Sequence, residues 1–429
     1  MIQPDSQVSL RTRSRRTLSA PLLILVILTA QLLPPLPQLL GLVTSHMAGT
    51  VMAAMFIMLV CLMNDLLPFS VLPRTLLEFD ARPALTIALI AGLLLLHAII
   101  ADRFLSLGDL ARALESFVPL AAMLAGGAML GAALSRCPDG AVDSTMRVSF
   151  WVLLVIALVP LSGVESNPIH PKPAFPFTET SHWALAFGPV LLYRAVRADE
   201  RRKTAWVLAS VLIGMALQSL SLLAGCVLIA VACRRLYLLM LAIPAAVLLL
   251  LNAPLLGLSY YTSRLDFSGT GLSNLVYLQG WQLMQENWHL TSGWGIGFQQ
   301  LGMHETQVAA EAMIRTVTGG LDENLTDGSF VLSKIVSEFG WFGVLLALAF
   351  VVLAVRCMKG LRARTESSGA GLTFARCVVV AYSVDMFIRG TGFFTQSTLM
   401  FLAALAVLRA SRCTALAFPR PALQHAQAI

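Results

Sequence analysis

Charge is what this sequence has least of. Only 12% of its 429 residues are charged, against roughly 25% in a soluble globular domain. A large soluble helical protein needs charged faces on most helices, and the apolar runs here have none, so that class is set aside. Cysteine is sparse as well: Cys61, Cys137, Cys226, Cys233, Cys357, Cys377 and Cys413. They show no metal-ligand spacing and avoid the one long polar stretch, which argues against a disulfide framework and a zinc site. The sequence has no internal repeat and no low-complexity tract. The basic run Arg11 to Arg16 precedes an apolar stretch without a small-x-small cleavage site. A retained first helix is therefore expected rather than a cleaved secretion signal.

What is abundant is apolar sequence. Hydrophobic residues make up 57% of the chain, concentrated in runs of about 17–25 residues, the length that crosses a bilayer as a helix. The expectation is an all-α, polytopic integral membrane protein with about 12 transmembrane helices. Candidate spans are Leu18–Leu42, Ala48–Leu72, Pro83–Ala101, Ala113–Leu134, Phe150–Val164, His182–Val196, Ala205–Leu220, Ser221–Cys233 and Leu236–Leu256. Phe339–Arg356, Leu372–Ile388 and Thr395–Leu408 follow the long polar stretch. The chain thus divides into an inner tail (1–17), a first membrane region (18–256), a large outer loop (257–338), a second membrane region (339–409) and an inner tail (410–429).

Basic residues orient this arrangement, because cytoplasmic loops carry the excess of Lys and Arg. With the N-terminus inside, 23 of the 30 Lys and Arg fall on inside segments and 7 outside. Reading Ala205–Cys233 as one helix would put the basic Arg356–Arg364 segment outside. A hairpin around Gln218-Ser219 is therefore expected, and the large loop then faces outward. The +7 formal charge is explained by this bias and calls for no nucleic-acid partner.

The outer loop gathers the candidate chemistry. Tyr277 to Glu286 has helical spacing and is expected to form a surface helix. Trp281, Trp288 and Trp294, with Tyr260 earlier, are candidates to contact sugar or lipid. GWGIGF (Gly293–Phe298) is glycine-rich without being a dinucleotide fingerprint, and suits close backbone approach. Asp322, Glu323 and Asp327 stand in a turn-rich stretch before an apolar helix. Asp327 or Ser329 either caps that helix, or Asp327 serves as a general base. His304 is a further base candidate, while His182 and His289 read equally well as surface histidines. Arg264 and Arg315 are candidate diphosphate clamps, since a guanidinium fork matches phosphate geometry. Asp385 and Arg389 are spaced i, i+4, which suits an ion pair at the outer rim or an Arg389 directed into the site.

The order of these features resembles the bacterial O-antigen ligase and polysaccharide polymerase superfamily. The resemblance covers about Trp206 to Leu408 and rests on the paired helices, the arginine-containing start of the outer loop, GWGIGF and EFGWFGVLL (Glu338–Leu346). It implies a glycosyltransferase of the bacterial inner membrane with its site facing the periplasm. The donor would be an oligosaccharide linked through diphosphate to a polyprenol such as undecaprenol, and the acceptor a second lipid-linked unit or lipid A-core. Arginines would hold the diphosphate: Arg264, then Arg389 and Arg315. No metal, nucleotide or other cofactor is expected. Where ligases carry a histidine-asparagine pair this chain has Asp327-Gly328, and near the ligase serine-arginine pair it has Ser221 without an arginine. Both departures favour a repeat-unit polymerase of exopolysaccharide (xanthan type), with a ligase or a lipid-linked sugar transporter as alternatives. A chain-length regulator or export complex is a further possible partner.

Overall fold

The computed structural model describes residues 17–43, 46–66, 81–105, 109–161, 174–235, 237–238, 271–304, 308–320, 325–363, 369–390 and 392–417. Among the described residues the regular structure is helical, with a lone bridge between Ala174 and Phe177. In chain order the helices are α1 (Ala20–Leu32), α2 (Leu36–Leu39), α3 (His46–Leu66), α4 (Ala81–Ile100), α5 (Leu110–Glu115), α6 (Phe117–Arg136) and α7 (Asp139–Leu161). They continue as α8 (Thr180–Arg197), α9 (Glu200–Ala216), α10 (Leu220–Ala232), α11 (Leu272–Leu290), α12 (Ala309–Thr318), α13 (Val331–Arg362), α14 (Ala370–Phe387) and α15 (Gln396–Ala417).

Among the described residues, five helical stretches are long and apolar enough to cross a bilayer: His46–Asn64, Leu110–Arg136, Asp139–Val159, Val331–Arg362 and Ala370–Phe387. The chain is thus an all-α protein built for a membrane. The expected span at its start is shorter than predicted, whereas the short second member of the hairpin has the length expected for Ser221–Cys233. Helices α1 and α10 hold 13 residues each, which is about 20 Å of rise. In α1 the cause is Pro34-Pro35, which ends the helix ahead of the short α2. Of the expected span Leu236–Leu256, all but 237–238 lies outside the described residues.

The core forms where small residues let helices meet. Helix α6 sits between α3 and α15: a Cβ on Gly126 would lie 2.9 Å from Ala54 Cα, and one on Gly131 would lie 2.5 Å from Ala406 Cβ. At one end of the bundle, Asp143 of α7 receives bonds from Tyr193 Oη and Arg197 Nη2 of α8 at 2.5 and 2.9 Å. Asp139 caps α14 by accepting from Ala370 N at 2.7 Å. The opposite end holds the starts of α3, α8 and α15 and the end of α14.

The hairpin forms where the charge pattern placed it. Gln218 takes φ 51° between α9 and α10, and the two helices fold back on each other. Arg235, beyond α10, donates to the Glu200 carbonyl at 3.0 Å and pairs with its carboxylate at 3.1 Å. The beginning of one helix and the end of the other are therefore side by side.

Helix α13 is two helices meeting at Gly340, whose φ of 53° and ψ of −126° are not helical. The first, from Val331 to Phe339, is buried along most of its length, and the polar loop ends eight residues earlier than expected. The second exposes Trp341, Phe342, Leu345, Leu346 and Leu348, a surface suited to lipid. The kink exists because GWGIGF docks into it. Ile296 N and Gly297 N donate to the carbonyls of Ser337 and Glu338 at 3.0 and 2.9 Å, and Trp341 N donates to Gly293 O at 2.9 Å. A Cβ on Gly295 would lie 2.5 Å from Glu338 O. The two glycine motifs are thus halves of one backbone clasp.

Beneath the clasp lies a buried ion pair. Lys334 Nζ stands 3.2 Å from Glu338 Oε1, with both side chains at 2% exposure or less. Glu338 Oε2 accepts from Gln299 N at 3.0 Å. Lys334 also donates to the Thr326 carbonyl and sits 5.2 Å above the Phe393 ring. Its ammonium links the clasp to the turn that carries Asp327.

Candidate functional site

At the end of the bundle where α3, α8 and α15 begin, polar side chains from distant parts of the sequence converge. Asp327 is half-buried, and its carboxylate packs on Gly392, where a Cβ would lie 2.9 Å from Oδ1. The left-handed backbone of Gly392, φ 79°, lets the chain after α14 pass this close. Gly390 N donates to Ser329 O at 2.9 Å, which ties the same two segments. His46, the first residue of α3, is buried and close enough to Asp327 and Glu179 to sense both charges. Its ring meets that of His182 edge to face, centroids 5.5 Å apart. Thr178 Oγ1 holds His182 Nδ1 at 3.0 Å, and Thr50 Oγ1 donates to Phe394 O at 3.0 Å.

Arg389 completes this rim. Its Nη2 lies 3.2 Å from Glu179 Oε2. The i, i+4 pairing with Asp385 is not made, because α14 ends at Phe387 and Ile388 leaves helical geometry. Asp385 stays inside, beside Ser397. The rim therefore presents one guanidinium, two carboxylates and two imidazoles.

The capping role considered for Asp327 and Ser329 is also not made. Phe330 occupies the N-cap of α13 with no side-chain cap bond. Ser329, at φ 68°, instead donates to Val276 O on α11 at 2.5 Å. Asp327 is thus free of that structural duty.

The other predicted residues disperse. Arg315 is engaged on its own helix, 2.7 Å from Glu311 Oε1. His304 is half-buried; burial holds its imidazole below the usual histidine value, and Glu286 opposes that shift. The surface helix expected over Tyr277–Glu286 is α11. Its Trp281 packs on Phe330, centroids 5.3 Å apart. Trp288 meets Trp341 at 4.7 Å, and Trp294 stacks on His97 at 5.2 Å. His97 Nε2 also donates to Trp294 O at 3.1 Å. These three tryptophans have separate partners and fasten α11 and the clasp to α13 and α4. Tyr260, Arg264, Asp322 and Glu323 lie outside the described residues.

His46 and Glu179 were not singled out from sequence. Each borders an apolar run, and a census of titratable residues at the ends of those runs would have found both. Among the described residues, no three His, Cys, Asp or Glu side chains gather as metal ligands. Below the rim, an apolar crevice opens between α8, α10 and α14, lined by Leu185, Gly188, Gly225, Ala381 and Val384 among others. The chain matches no protein-family model, no curated protein and no solved structure.

Proposed function

We propose that this protein is a glycosyltransferase that polymerises polyprenyl-diphosphate-linked oligosaccharide units at the periplasmic face of the bacterial inner membrane. The observation that supports this reading is the convergence of Asp327, Arg389, His46 and His182 at one end of an apolar helix bundle. Lipid-linked sugar chemistry needs a polar site open to water at one membrane face, with lipid access at its side.

In the proposed reaction Arg389 binds the donor's diphosphate. Its partner Glu179 is half-exposed, so that carboxylate can return to water when Arg389 is engaged elsewhere. A diphosphate that accepts two charge-assisted hydrogen bonds from the guanidinium can replace it. Asp327 takes the proton of the acceptor hydroxyl. The hydroxyl oxygen bonds to the anomeric carbon as the carbon–oxygen bond to diphosphate breaks. Polyprenyl diphosphate leaves with the electron pair, and configuration inverts. Arg389 stabilises the charge that develops on the leaving group. His46, edge to face with His182 and within electrostatic reach of Asp327, favours the ionised carboxylate when its ring is protonated. The crevice between α8, α10 and α14 receives the polyprenyl chain, since its Val384 adjoins Asp385 one turn below Arg389. Arg264 is a second clamp, and Asp322 and Glu323 are further acidic groups of the same loop.

The test is chain growth by purified protein in nanodiscs, with the host's polyprenyl-diphosphate-linked unit as substrate and a gel ladder as readout. Wild type should give a ladder without nucleotide. Asp327→Asn should slow growth by at least about 100-fold, the lower range for loss of a general base. Arg389→Ala should weaken donor use comparably. Folded wild-type protein that gives no ladder, or an Asp327→Asn variant of normal activity, defeats the proposal.

A further inference from the structure

One part of the bundle holds several buried polar atoms that no hydrogen bond satisfies. Inward from the rim, a cavity between α1, α8, α14 and α15 is bordered by Gln31, Asp385, Gln396, Ser397 and Tyr382, and closed by apolar side chains. Asp385, Gln31 and Gln396 are each 3% exposed or less. Gln31 Oε1 and Gln396 Oε1 are buried and accept no hydrogen bond. The Gln396 amide is oriented by its own donor, since Nε2 faces the His182 carbonyl at 3.5 Å. Its oxygen is the atom left over.

The counter-charge that sequence offers to Asp385 is elsewhere. Arg389 is turned to Glu179 across the rim. The Tyr382 hydroxyl shares its hydrogen bond with Thr398 Oγ1 at 3.1 Å. Among the described residues Ser397 is the hydroxyl beside the carboxyl, and its Oγ too is buried without a hydrogen bond. A buried carboxylate without a partner is costly, and so is each orphaned amide oxygen. A proton on Asp385 would remove the charge, yet it supplies one donor for two amide oxygens, and the Ser397 hydroxyl lies beside the carboxyl itself. A cation satisfies several oxygens at once. The donor set is oxygen only, which selects a hard ion, and a single carboxylate balances a single positive charge.

We propose that Asp385, Gln31, Gln396 and Ser397 form a binding site for one sodium ion. The site ties α1 to the α14–α15 junction directly beneath the rim. Its proposed occupancy is independent of the glycosyl-transfer reading, because it is read by binding and stability alone.

The experiment uses the full-length protein in detergent at pH 7.5. Binding of radioactive sodium is measured at equilibrium, and thermal unfolding is followed as NaCl replaces choline chloride at constant ionic strength. Wild type should bind about one sodium per chain and unfold at a higher temperature in NaCl. Asp385→Asn, which keeps the shape, should abolish both effects. Gln31→Met and Gln396→Met should weaken sodium binding several-fold, and they carry the test if Asp385→Asn does not fold. Wild-type protein that is monodisperse but binds no sodium, or variants that bind it as wild type does, overturns the proposal. Saturation by potassium with equal affinity overturns the assignment to sodium.

Discussion

Replacing Gly340 by alanine tests the clasp, and with it the placement of the polar segment that precedes α13. Gly340 has φ 53° and ψ −126°, a conformation that costs a residue with a Cβ about 1–3 kcal/mol. The added Cβ would overlap the Gly293 carbonyl oxygen and lie 2.5 Å from the carbonyl carbons of Gly293 and Trp294. All of these are backbone atoms, so no side chain can swing away. Relief requires the loop to move off the kink, which breaks the bonds from Ile296 N, Gly297 N and Trp341 N. At about 0.5–1.5 kcal/mol each, and with the strain included, the loss is about 3–7 kcal/mol. That is a large share of the roughly 5–15 kcal/mol that holds a typical fold. Thermal unfolding in detergent, read by tryptophan fluorescence, is the assay, because Trp288, Trp294 and Trp341 surround the clasp. Gly92→Ala is the control: nothing lies within 4 Å of its added Cβ, and helix propensity favours it by about 0.5–1 kcal/mol. If Gly340→Ala unfolds within about 1 kcal/mol of wild type, the clasp argument fails.

The buried pair beneath the clasp should behave as a unit. Lys334→Met alone leaves the Glu338 carboxylate uncompensated and should cost about 3–5 kcal/mol. Adding Glu338→Gln, which keeps an acceptor for Gln299 N, should recover most of that loss; additive losses in the unfolding cycle would argue against the pair. His304 predicts an acid effect. Burial lowers its folded-state value below 6.5, so the unfolded chain binds the proton more readily. The stabilisation from the neutral ring is complete above pH 6.5 and is lost as pH falls through the lower folded value. His304→Gln should therefore narrow the difference in unfolding temperature between pH 7.5 and pH 5.5. An unchanged difference would remove His304 from that account.

Local and periodic features were legible in the sequence, and long-range juxtapositions were not. Apolar runs announced the helices, and the Arg356–Arg364 charges required the Gln218 turn that the fold makes. GWGIGF and EFGWFG signalled close backbone approach, but nothing in either motif said that the other was its partner. The spacing of Asp385 and Arg389 suggested an ion pair by assuming an unbroken helix. The helix stops at Phe387, before Arg389, and the carboxylate that Arg389 meets belongs to Glu179, 210 residues away in sequence. The three tryptophans of the loop looked like one cluster because they are close in sequence. Helix α11 and the clasp point them at three different neighbours. His46 was obscured for a simpler reason: beside 20 residues of apolar helix, one histidine contributes almost nothing to a composition signal.

The clasp also has a consequence for how this loop can change. Its bonds join residues near 297 to residues near 338, which closes a circuit of about 40 residues. The entropy of closing such a circuit grows only as the logarithm of its length, about 0.6 kcal/mol for each doubling. The chain at Gly319 and Gly320 is exposed, so extra residues there would lengthen the circuit without disturbing its closure. Insertion and recombination can therefore remodel the exposed surface of the loop, while the knot of backbone at Gly340 keeps Asp327 in register with the helices beneath it.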